Sequence, residues 1–183
     1  MHDMVLRSES GYRFESRRRD VACAPPDLVR LLDVWREHAG AGWLPHPSNA
    51  TFEAFLFMIG RVHLVEVGAD GQFRYRLYGT GGAYPVDAHK RTTAAIRPAE
   101  FRALVEAHYR ECVAERAPVY REILLAGPRR SARIARLLLP YACDGQVPDL
   151  IVTGFVEEPG VADVFRDPDF GAMSDDLVLE DPD

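Results

Sequence analysis

The sequence predicts an α+β domain, an antiparallel sheet covered on one face by helix. Three observations predict it. Residues 61–80 read as two strands around a tight turn. Residues 98–116 form the clearest amphipathic helix in the chain. Three further strand-like segments joined by turn signals run from Val119 to Glu157. Strands in runs with one bracketing helix pair as antiparallel neighbours rather than through parallel crossovers.

The hairpin organises the chain. Asp70-Gly71 is its turn signal, since glycine supplies the positive φ that such a turn demands. Phe73, Tyr75 and Leu77 alternate with Arg74, Arg76 and Tyr78, giving the second strand one apolar face. A lone hairpin is marginal in water, so this one has to pair with strands further along.

Residues 1–26 are polar, mixed in charge and weakly patterned, and read as a flexible N-terminal arm. Asp27 suits an N-cap for a helix over residues 28–38. That helix carries Leu28, Leu31, Leu32 and Trp35 on one stripe. The stripe can dock on the sheet of its own domain or form a homodimer contact, for which a tryptophan is a good anchor. Residues 48–60 place Phe52, Phe55, Leu56 and Ile59 at helical spacing and read as one short helix. The glycine run at 79–82 lacks the lysine and Ser/Thr of a phosphate-binding loop and reads as a flexible turn.

In the long helix Pro98 fits the first helical position, and Phe101, Leu104, Val105, His108, Cys112 and Val113 share one face. The apolar runs 137–139 and 150–152 mark central strands. Residues 27–158 are thus the domain, and residues 159–183 read as an acidic tail.

Composition narrows the function. The 183 residues suit one domain, 47% of them are apolar, and the net charge of −6 argues against a nucleic-acid or anionic-membrane partner. Lys90 is the single lysine among 22 basic residues, so arginine clusters such as 17–19 reflect composition. Three isolated cysteines without a CxxC pair, and no secretory or membrane-spanning run, point to the cytoplasm. No nucleophile–base arrangement has motif context. The adjacent carboxylates 157–158 and 175–176 are poor acid–base pairs, so no catalytic residue is assigned and the chain is read as not an enzyme.

The leading LVRLLDVW (28–35), the strand RYRLYGT (74–80), the long helix ending at Ala117-Pro118 and the segment LLLPYACDG (137–145) together resemble a PAS domain. They are similar to the small, stand-alone bacterial PAS proteins over residues 27–157. The stretch 81–96 departs from that subfamily: it is short, and only Asp87 and Thr92 or Thr93 could match its pattern. The resemblance implies a five-stranded sheet in the order 2-1-5-4-3 with helices on one face and a leading N-terminal helix. It also implies a sensory module that binds a small molecule and signals through a protein partner or a second copy.

Between helix and sheet, Tyr75, Leu77, Tyr78, His108 and Cys112 are the pocket candidates, with Tyr84 and His89 near the mouth. A filled core without a pocket, serving a ligand-free interaction module, is the alternative. In some PAS domains a histidine on the corresponding helix ligates haem. Haem needs a porphyrin-sized cavity, and the flavin chemistry of light sensors needs a cysteine within residues 81–97, where there is none. Neither cofactor is expected, the ligand stays unassigned, and His108 with Cys112 makes no closed metal site.

Overall fold

The computed structural model describes residues 3–8, 11–84, 90–167 and 170. The strands are β1 (Met4–Arg7), β2 (Arg13–Arg18), β3 (Val62–Val67), β4 (Phe73–Leu77), β5 (Val119–Ala126), β6 (Ser131–Tyr141) and β7 (Leu150–Glu157). The α-helices are α1 (Pro26–His38), α2 (Ala99–Glu115) and α3 (Val161–Phe165). All seven strands join one antiparallel sheet in the order β1-β2-β5-β6-β7-β3-β4.

This corrects the expected five-stranded, PAS-like sheet in two ways. First, the segment read as a flexible arm supplies two strands. β2 pairs with β5 from Arg13↔Ala126 to Arg18↔Arg121, and β1 pairs with β2. Tyr12 and Phe14 are 2% and 0% exposed, so this hairpin is part of the core. Second, helices cover both faces. One core places Phe101, Leu104, Val105 and Tyr109 of α2, with Val161, Val164 and Phe165 of α3, on one side. The other places Leu28, Leu31 and Leu32 of α1 on the opposite side.

The central strand shows why. Along β6, Ala132, Ile134 and Leu138 face α2 and α3, while Leu137, Leu139 and Tyr141 face α1. Its first half alternates with exposed Ser131 and Arg133; its second half is buried on both sides. A strand sandwiched between helices reads as a continuous apolar run, which is what the three successive leucines are.

Close backbone approach explains two glycines. A β-carbon on Gly154 of β7 would stand 2.4 Å from Leu31 Cδ2, so glycine there lets α1 lie down on the sheet. At Gly79 it would stand 2.5 Å from the Gly60 carbonyl oxygen. The glycine run is therefore a packed crossing over Gly60, reinforced by Gly81 N–H donating to Gly60 at 2.8 Å, rather than a flexible turn.

Smaller expectations also shift. Asp27 is inside α1 and pairs with Arg61 at 2.9 Å; Pro25 holds the cap position with no side-chain hydrogen bond. Residues 47–49 and 53–58 form two separate 3₁₀ turns instead of one helix. Pro98 caps α2 from outside, and Arg116 ends it in the left-handed conformation. The expectations for Asp87, His89, Asp175-Asp176 and most of the acidic tail lie outside the described residues.

Candidate functional site

A cavity of about 50 Å³ lies where α2 and α3 meet β3, β4, β6 and β7. Phe101 and Val105 come to it from α2, Phe165 from α3, and Ile134 and Phe155 from neighbouring strands. Tyr75, Tyr78, Tyr84, His63, Arg136 and Glu157 bring polar atoms to the same lining. A mostly apolar hollow with a few converging polar groups is the usual form of a small-molecule site.

A buried polar chain runs beside it. Ser16 Oγ lies 2.7 Å from His108 Nε2, and Arg136 Nη1 lies 3.5 Å from His108 Nδ1. Arg136 Nη2 donates to the Tyr109 hydroxyl at 3.1 Å, and that hydroxyl is 3.1 Å from the Tyr75 hydroxyl. Because arginine only donates, His108 Nδ1 accepts and Nε2 carries the proton that it gives to Ser16. Burial, with the charges of Arg136 and Arg121, holds the His108 pKa well below its ordinary value, consistent with that neutral tautomer.

His63 is the second buried histidine at the site. Its ring stacks between Tyr78 and Phe155, with centroids 4.4 and 4.7 Å away, and its Nδ1 accepts from Gly79 N–H at 3.0 Å. Burial first, and the Arg136 charge second, lower its pKa to about 3, so it is neutral near pH 7. Glu157 accepts from Ala83 N–H at 2.8 Å, and burial raises its pKa. Burial likewise raises the Tyr75 and Tyr78 pKa values.

Of the sequence candidates, Tyr75 and Tyr78 line the cavity. His108 stands behind it, joined through Arg136. Cys112 is fully buried one turn further along α2, its thiol directed to the Ala117 carbonyl at 3.8 Å and its pKa raised by burial. Leu77 points elsewhere. Leu64 pairs with Leu77 but Val65 with Tyr75, so β4 carries an extra residue at a bulge. The bulge turns Leu77 onto the α1 face, 41% exposed, where it lines a groove of about 360 Å³ with Phe52, Ile59 and Leu64.

Of the two readings of the leading-helix stripe, the structure shows the docking on its own sheet. Leu28, Leu31 and Leu32 are at most 2% exposed in the chain's own core, and Trp35 Nε1 donates to the Pro140 carbonyl at 2.8 Å. Those leucines dock α1 on its own sheet, and Trp35 stays partly exposed beside them. Among the described residues no group of three or more His, Cys, Asp or Glu side chains could hold a metal ion, and no helix is long and apolar enough to cross a membrane.

Sequence reasoning missed Arg136, Tyr109, His63 and Ser16. Tyr109 was accessible, four residues after Val105 on the same helical face. Arg136 was hidden by the abundance of arginine, and Ser16 by the reading of its segment as an arm. No protein-family model matches this chain, and no curated protein and no solved structure matches it.

Proposed function

We propose that this chain is a non-enzymatic sensory module that binds a small molecule in the cavity between α2 and the sheet and signals through protein contacts. The observation that carries the reading is the convergence on one hollow of a buried arginine, a neutral histidine and tyrosine hydroxyls among apolar walls. Buried polar groups cost free energy unless they are satisfied, and a bound ligand is one way to satisfy them. The PAS resemblance over residues 27–157 supports the reading at the level of motifs. A route outward is at hand, because Tyr78 and Gly79 line both the cavity and the exposed groove on the α1 face.

Thermal-shift screening of the purified chain against small metabolites tests this. A ligand that stabilises the wild type but not a cavity-filled Val105→Trp variant supports the site. Equal stabilisation of both would remove it.

The second reading, a ligand-free interaction module, rests on a separate observation. Phe52, Leu56 and Ile59 are 62%, 50% and 65% exposed on neighbouring turns beside edge strand β4. In that case the screen finds nothing, and changes such as Ile59→Asp disturb partner binding alone.

A further inference from the structure

We propose that the cavity takes a small monocarboxylate, held by the guanidinium of Arg136. The inference rests on the ligand-binding reading above and specifies its ligand class. Two arginines are buried among the described residues, Arg121 and Arg136, each 6% exposed. A guanidinium keeps its charge at any ordinary pH, so each requires compensation inside the protein. Arg121 has it: its Nε and Nη2 fork onto Glu111 at 2.9 and 2.7 Å.

Arg136 does not. Its two hydrogen-bond partners among the described residues are the Tyr109 hydroxyl and His108 Nδ1, neither of them a carboxylate, and no carboxylate among the described residues forms an ion pair with it. Two of the five N–H donors of the fork are thereby used. The other histidine at the cavity, His63, carries no negative charge. Glu157 reaches the lining from β7, but its carboxylate is engaged with the Ala83 amide and makes no ion pair with Arg136. A buried cation with no carboxylate partner among the described residues therefore borders a hollow, and a planar carboxylate matches the guanidinium fork.

The dimensions and walls narrow the class. About 50 Å³ accommodates an anion of the order of formate, acetate or propionate. Phe101, Val105 and Phe155 offer apolar walls for a short alkyl group.

The test is calorimetric titration of the full chain with sodium acetate and sodium propionate, against acetamide and sodium chloride at matched ionic strength, with NMR following the Gly79 and Gly82 amides. Saturable binding of the carboxylates, at least about tenfold tighter than acetamide or chloride, is expected. Arg136→Met should abolish it, and Arg136→Lys, which keeps a charge but loses the fork, should weaken it about tenfold or more. Should Arg136→Met fail to fold, Arg136→Lys carries the comparison. Carboxylate binding no tighter than chloride binding, or undiminished in Arg136→Lys, overturns the proposal. Acetamide binding at these amides as tightly as acetate overturns the carboxylate while leaving the ligand-binding reading intact. Silence of the cavity amides to every probe overturns the carboxylate and counts against the reading itself.

Discussion

Ser16 Oγ and His108 Nε2 lie 2.7 Å apart, both buried and 92 residues apart in sequence. The contact fastens an N-terminal strand to the long helix and fixes the tautomer of the histidine that stands behind Arg136. Ser16→Ala leaves the His108 N–H without its acceptor, in a place water does not reach. A loss of about 1–3 kcal/mol in urea unfolding is expected. A loose N-terminal arm would give no measurable change.

The same hairpin covers an edge. Without β1 and β2, the row of backbone groups on β5 that now pairs from Arg121 to Ala126 would be open, and Arg18 would leave Glu111 and Glu115. A chain starting at residue 20 is expected to aggregate or lose cooperative unfolding, as read by light scattering and circular dichroism. A monomeric, cooperatively folding truncation would contradict the seven-stranded sheet.

This is also where legibility in the sequence ended. The alternation Tyr12, Phe14, Ser16 against Arg13, Glu15, Arg17 is a period-two signal, but the flanking charges hid it beside the far stronger apolar runs of β6 and β7. Those runs, the turn at Asp70-Gly71 and the face of α2 were plain because each follows from one local periodicity. Leu77 was misplaced because a bulge is set by pairing with β3, which no single strand's pattern reveals. Arg136 was unreadable because its position, buried beside a hollow with no ion pair among the described residues, is a property of the packed structure.

The seat of α1 can be probed at one atom. Gly154→Ala places a methyl 2.4 Å from Leu31 Cδ2 and 3.1 Å from Leu28 Cδ2, so these leucine side chains or α1 itself must shift. A destabilisation of about 1–3 kcal/mol is expected from overpacking. Leu31→Ala should cost about 2–5 kcal/mol through the void it leaves. Sizing chromatography should show the same oligomeric state before and after both changes; a change of state specific to Leu31→Ala would show that this leucine serves an interface.

The buried histidines set a pH dependence. An unfolded histidine binds a proton near pH 6.5, whereas His63 does so only near pH 3. Between those values the unfolded chain holds the extra proton, so stability rises with pH and falls on acidification. His108, also shifted downward, acts in the same direction. Each contributes a slope of at most about 1.4 kcal/mol per pH unit below its unfolded pKa. Glu157, shifted upward, works in the opposite sense near the carboxylate range. Urea unfolding between about pH 7 and pH 5 should show falling stability, with a shallower slope in His63→Gln. A flat profile would mean that the histidines are not held neutral.

The most direct test of the central claim, that the hollow under α2 is the ligand site, is to map by NMR the amide shifts caused by whichever small molecule most raises the melting temperature. Shifts centred on His63, Tyr78, Gly79, Gly82 and Arg136 are predicted. Shifts centred instead on Phe52, Leu56 and Ile59, or scattered over the surface, would contradict it.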